Sequence, residues 1–96
     1  MVQFDPNRLA ELCEEHGVRR LRLYGSAARG EEHPDSDVDL IADFQRPTGF
    51  FGLLRLEEEL ARFFGRTVDL VTEPGLSPYL RENILSSSSV LYDAEG

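Results

Sequence analysis

The strongest constraint on the fold of this chain is an amphipathic segment that runs from Phe50 to Phe64. Its apolar side chains recur at helical spacing, so they share one face of a helix; they are Leu53, Leu56, Leu60 and Phe63. The flanking segments 38–42 and 67–71 are short, apolar and bounded by turn residues, as strands are. Because a helix with one apolar face must bury it, this pattern predicts a helix packed on a β-sheet.

The remaining elements follow from caps, turns and alternating apolar residues. In chain order we predict helix, strand, short helix, strand, helix, strand, helix and strand. The predicted bounds are a helix from Pro6 to His16, a strand over 18–24, a short helix over 27–29, a strand over 38–42, a helix over 50–64, a strand over 67–71, a helix opened by Ser77 and Pro78 that runs to Leu85, and an edge strand over 90–92. This order predicts an α/β (α+β) fold, in which a small mixed β-sheet carries helices mainly on one face and leaves the other face open for a site.

The length of 96 residues suits a single domain that spans positions 1–96. Such a chain leaves no room for a second domain that would hold a large acceptor substrate, so we expect another chain to bring the acceptor of the transferred group. Cys13 is the only cysteine, which excludes an internal disulfide and a multi-cysteine metal site.

The charge of the chain restricts its partners. Eighteen acidic residues against ten basic ones give a formal net charge of −8, which repels nucleic-acid phosphates. We therefore expect no stable nucleic-acid binding. The sequence also contains no apolar run that could cross a bilayer and no signal-like start, so we expect a cytoplasmic protein without membrane contact.

Two carboxylates, Asp37 and Asp39, begin the second predicted strand. Residues at i and i+2 of a strand point to the same face, so both side chains can reach a shared divalent cation. Upstream, Gly25 and Ser26 form a turn between the first strand and the short predicted helix, where backbone N–H groups can hold a polyphosphate. A phosphate-binding turn beside a carboxylate pair indicates metal-dependent nucleotidyl transfer.

A third carboxylate, Asp69, interrupts the apolar strand that follows the long helix. If this strand lies beside the strand of Asp37 and Asp39, the side chain of Asp69 completes a trio of carboxylates on the open face. Three carboxylates that crowd together repel one another unless cations lie between them.

Each of these residues also has a simpler interpretation. Asp37 and Asp39 could be solvated acids at a strand end, and Asp69 could be a charge on an edge strand. For Asp43 we favour a solvated strand terminus over a fourth ligand. Four aromatic residues are interpreted as core or partner interface and not as a base-stacking platform: Phe50, Phe51, Phe63 and Phe64.

One spacing in the chain resembles the signature of the minimal nucleotidyltransferases, a branch of the DNA polymerase β superfamily. It consists of Gly25-Ser26, then ten residues, then Asp37-Val38-Asp39. The longer run from Tyr24 to Gly30, followed by 36–40, looks like the MNT-type group. The likeness extends over nearly the whole chain. Tyr24 stands where phenylalanine is frequent in the family, and this change preserves an aromatic ring.

The resemblance implies a toxin–antitoxin module in which this chain pairs with a HEPN-domain ribonuclease as a hetero-oligomer. The expected reaction transfers AMP from ATP to a tyrosine of that toxin. Asp37 and Asp39 would hold two Mg²⁺ ions, and Asp69 would ligate the second ion or accept the proton. The nucleotide-binding residues implied are Gly25, Ser26 and Arg29, although Arg29 could equally face solvent.

Two other functions stay open from the sequence. One is a binding module that keeps the fold and masks the toxin by contact alone. The other is a small-molecule modifier similar to the aminoglycoside nucleotidyltransferases.

Overall fold

The computed structural model describes residues 4–25, 37–46, 48–79 and 81–95. This part of the chain contains three helices and four strands, with the bounds α1 Pro6–Glu15, β1 Val18–Tyr24, β2 Val38–Phe44, α2 Phe50–Phe64, β3 Val68–Thr72, α3 Arg81–Ser86 and β4 Ser89–Asp93. The strand bounds agree with the sequence prediction to within two residues. The short helix predicted over 27–29 lies outside the described residues.

The four strands form one mixed sheet in the order β3-β2-β1-β4. β1 is antiparallel to both of its neighbours, whereas β2 and β3 run parallel. A parallel pair needs a long crossover connection, and α2 provides it. The predicted fold class is therefore confirmed.

The core lies between one face of the sheet and the two longer helices. α1 contributes Leu9 and Cys13, and α2 contributes Leu56 and Leu60, all fully buried. The sheet meets them with residues that alternate along its strands: Leu21, Leu23, Val38, Leu40, Ala42, Val68 and Leu70. Burial raises the pKa of the Cys13 thiol to about 12, so this cysteine is an inert packing residue.

Local signals explain where α1 and α2 begin and end. Oδ1 of Asp5 accepts a hydrogen bond from the backbone N–H of Asn7 at 3.0 Å, and Pro6 occupies the first helical position. Gly65 ends α2 in the left-handed conformation with φ of 68°.

α3 is shorter than the sequence predicted. The described helix begins at Arg81, whereas Pro78 and Tyr79 form a turn. The backbone N–H of Arg81 donates to the carbonyl of Ser77 at 2.9 Å, so the Ser-Pro pair opens a turn that leads into the helix. A single 3-10 turn over Glu73–Gly75, which the sequence did not predict, follows β3.

The second face of the sheet is not open along its whole length, which corrects the sequence prediction. Ile41 has its side chain on this face and is only 1% exposed. The middle of this face is therefore shielded from solvent at Ile41.

The outer edge of β3 is contacted by α2. Oε2 of Glu57 accepts a hydrogen bond from the backbone N–H of Leu70 at 3.0 Å. A side chain from the crossover helix thereby satisfies an edge donor that no strand pairs. In the described ranges, none of the helices is both long enough and apolar enough to span a membrane.

Candidate active site

The site begins with the pairing of β2 and β3, in which Asp39 and Asp69 are register partners. Directly opposed residues of neighbouring strands project to the same face of a sheet, so both carboxylates leave it on the second face. Asp37 lies two residues before Asp39 and therefore shares this face. Asp37 and Asp69 are exposed, whereas Asp39 is partly buried.

The electrostatics of Asp39 reflect these neighbours. Burial raises the pKa of its carboxyl group, and the negative charges of Asp69 and Asp37 raise it further. The charges of Asp69 and Asp37 thus lie close enough to disfavour the ionised form of Asp39. An added cation would relieve this repulsion.

The carboxylates do not form a ready-made metal site. Among residues 4–25, 37–46, 48–79 and 81–95, no group of three or more His, Cys, Asp or Glu side chains has an arrangement that could hold a metal ion. The chemistry of the carboxylates nevertheless fits Mg²⁺, which prefers carboxylate oxygens, so a cation would have to draw them together.

Gly25 lies directly against one of these carboxylates. Its φ of +78° is a conformation that side-chain-bearing residues rarely adopt, and a Cβ atom there would lie 2.6 Å from Oδ2 of Asp39. Only glycine therefore allows the turn after β1 to approach Asp39 this closely. Ser26 and Arg29, the other predicted nucleotide-binding residues, lie outside the described residues.

Tyr24 is a residue of the site whose position the sequence analysis missed. It is the register partner of Asp39 in the antiparallel pair of β1 and β2. Burial raises the pKa of its hydroxyl group, and the charges of Asp39 and Asp69 raise it further. The alternation of β1 places Tyr24 on the same face as Arg20 and Arg22. Which residue of β2 lies opposite Tyr24 depends on the register of the two strands, which the sequence does not show.

Asp43 is not part of this group. Oδ2 of Asp43 accepts hydrogen bonds from Arg19, from Nε at 2.9 Å and also from Nη2. Its side chain is only 17% exposed, so the predicted solvated strand terminus is wrong and an ion pair takes its place. The negative charge of Asp43 is therefore neutralised by Arg19 within the fold.

A glycine turn and carboxylates from two neighbouring strands thus converge at one end of the sheet. The family model described as a nucleotidyltransferase domain matches residues 7–91 of the chain. The chain belongs to this nucleotidyltransferase family. Its sequence-based recognition as an MNT-type minimal nucleotidyltransferase is confirmed by the relatives below.

This nucleotidyltransferase is 39% identical over 75 residues to the protein adenylyltransferase MntA of Thermococcus cleftensis. The aligned residues cover 78% of this chain and 76% of the relative. Its fold matches a chain of a toxin–antitoxin crystal structure with AMP-PNP, with a TM-score of 0.78, 21% identity, and coverage of 96% and 76% of the two chains. It also matches a chain in the complex of a tri-AMPylated HEPN toxin from Shewanella oneidensis with an MNT antitoxin, with a TM-score of 0.68, 18% identity, and coverage of 94% and 71%. The two structural likenesses show a shared fold.

Proposed function

We propose that this nucleotidyltransferase transfers AMP from ATP to a tyrosine hydroxyl of a cognate HEPN-domain ribonuclease toxin and acts as its antitoxin in the cytoplasm. The observation that carries the proposal is the pairing of Asp39 with Asp69 beside Gly25. The adenylyltransferase relative supports AMP as the transferred group. The fold shared with an MNT antitoxin supports the choice of a HEPN partner.

In the proposed reaction the tyrosine oxygen attacks the α-phosphorus of ATP in line, a new P–O bond forms, and the bond to pyrophosphate breaks. Asp37 and Asp39 would hold two Mg²⁺ ions, which when bound neutralise the triphosphate and lower the pKa of the attacking hydroxyl. Asp69 would ligate the second ion or accept the proton of this hydroxyl. Gly25 lets backbone N–H groups of the turn approach the phosphates, where Ser26 and Arg29 add donors.

The test is an intact-mass measurement. The protein is incubated with ATP, Mg²⁺ and the product of the adjacent reading frame. We expect that product to gain mass in multiples of one AMP unit, and we expect Asp69→Asn to abolish the gain. Asp43→Asn, which removes a carboxylate of the same strand outside the group, should retain it.

Other outcomes would replace the proposal. A stable complex without any mass change would favour masking by contact alone. Transfer to a small molecule and not to the protein would favour a small-molecule modifier.

A further inference from the structure

An apolar patch lies at the start of α2. It consists of Phe50, Phe51 and Leu54, which are 69%, 85% and 39% exposed. The phenylalanine rings contact each other edge to face with centroids 6.1 Å apart. The two phenylalanines at the other end of the helix behave differently, because Phe63 and Phe64 pack with Phe4 against the core. Single exposed apolar residues are ordinary, but a contiguous group on one helix face marks an interaction site.

We infer that this patch docks the protein that accepts the nucleotide, and that it enters an apolar groove with an acidic rim. The identity of the partner rests on the proposed function. The patch fits the recognition mode in which one face of a helix enters a groove. In this mode Phe50 and Leu54 form one row of contacts, and Phe51 forms the next.

The charges around the patch argue for an acidic partner. Arg55 is exposed one turn after Phe51, and Arg46 is exposed in the connection that leads into α2. A second copy of the chain that used the same patch would bring these arginines together, and like charges at an interface cost affinity. An anionic membrane would be repelled by the net charge of −8.

Among the residues that the structure describes, few contacts hold the first turn of α2 ahead of Leu53, which packs against the core. The N-cap residue Gly49 provides no side-chain hydrogen bond to the helix. Gly52 lies inside the first turn, where glycine costs about 1 kcal/mol relative to alanine. The first fully buried residue of the helix is Leu56. A partner that covers Phe50 and Phe51 would therefore also stabilise this turn.

The patch is remote from the carboxylates. The part of β2 between Asp39 and Phe44 spans about 17 Å, and α2 begins only after the connection that follows β2. Docking at the patch and chemistry at Asp39 are thus separate. Loss of the patch should raise the KM for the protein acceptor and leave kcat unchanged.

The central experiment compares two exposed aromatic sites. The double variant Phe50→Ser/Phe51→Ser removes the patch, and Tyr79→Ser, at a side chain 92% exposed in the turn before α3, is the matched control. Binding to the product of the adjacent reading frame is measured by titration calorimetry. We expect the double variant to raise Kd and KM at least tenfold, the size of effect typical of interface aromatic residues, and the control to change neither.

A second pair of variants tests the charge. Arg55→Glu should weaken binding, whereas Arg62→Glu, at an exposed arginine further along α2, should not. Binding should also weaken as salt is added. Hydrogen exchange should show that the complex protects the backbone amides of the first turn of α2.

Several results would overturn the inference. One is equal binding by the double variant and the wild type. Others are a wild-type self-dimer that the double variant loses, and adsorption of the wild type to anionic lipid vesicles. If the wild type binds Mg²⁺ and ATP but not the neighbouring gene product, docking is wrong while nucleotidyl transfer stands. If it binds neither, the proposed function fails as well.

Discussion

Asp39 and Asp69 face each other across the parallel pair of β2 and β3. The two carboxylates come from strands that α2 separates in the sequence, and the parallel pairing of these strands brings them together. Burial is the largest cause of the raised pKa of Asp39, and repulsion from Asp69 and Asp37 raises this pKa further. The arrangement carries an electrostatic cost in the metal-free protein, and this cost can be measured.

Asp39→Asn should stabilise the metal-free protein by about 0.5 kcal/mol at pH 7, an effect typical of a partly exposed site. Because the pKa of Asp39 is raised in the folded state, its carboxyl group stabilises the fold fully below its ordinary pKa of 3.8. That contribution is lost as the pH rises through the folded-state pKa. Urea unfolding in a chelator should show the gain at pH 7 and a smaller one at pH 3. An unchanged or lower stability at pH 7 would argue against crowding of the carboxylates.

Gly25→Ala should abolish nucleotidyl transfer and destabilise the fold. The matched control is Gly65→Ala, since both glycines have positive φ but only a Cβ at Gly25 meets another atom within 4 Å. The control should cost about 1–2 kcal/mol for its left-handed conformation and keep transfer. Gly25→Ala should cost more, because Asp39 must move. Urea unfolding and a transfer assay measure the two effects, and equal behaviour of the variants would contradict the close approach.

Mg²⁺ with ATP should raise the melting temperature of the wild type. A ligand at about a hundred times its Kd adds roughly 2.7 kcal/mol, which corresponds to about 10 °C or more in a domain of this size. Asp37→Ala should abolish the shift. Asp43→Ala should lower the starting melting temperature through loss of the pair with Arg19 and keep the shift. Thermal unfolding followed by circular dichroism distinguishes these cases, and a shift that survives in Asp37→Ala would exclude Asp37 from the site.

Asp93→Asn should destabilise the protein at neutral pH but not in acid. The backbone N–H of Glu95 donates a hydrogen bond to the carboxylate of Asp93 at 2.9 Å, which lowers the pKa of Asp93. Burial raises this pKa, whereas the ion pair with Arg20, at 3.2 Å, lowers it further. A lowered pKa means that the carboxylate stabilises the fold above its ordinary pKa of 3.8 and loses this contribution as the pH falls through the folded-state value. Urea midpoints of the two proteins should differ at pH 7 and converge in acid, once the pH lies below the folded-state pKa of Asp93. A constant difference would mean that the effect is not electrostatic.

The sequence predicted those features that depend on neighbouring residues. Alternation identified the strands, spacing identified α2, and Asp5, Pro6 and Gly65 marked helix ends. Each signal acts within one or two turns of chain, so tertiary contacts did not have to be known.

Features that depend on strand register were not available from the sequence. The partnership of Tyr24 with Asp39 requires the alignment of β1 with β2. The ion pair of Arg19 with Asp43 likewise joins two strands. The burial of Ile41 depends on contacts with residues outside its own strand, which the pattern of one strand does not contain.

The contact between Glu57 and Leu70 has a consequence for self-assembly. An unpaired strand edge recruits extended segments from other molecules, and such addition begins aggregates. At β3 one edge donor is already occupied by the chain's own carboxylate. Foreign strands are thereby disfavoured beside Asp69, which leaves β4 as the more accessible border for sheet growth.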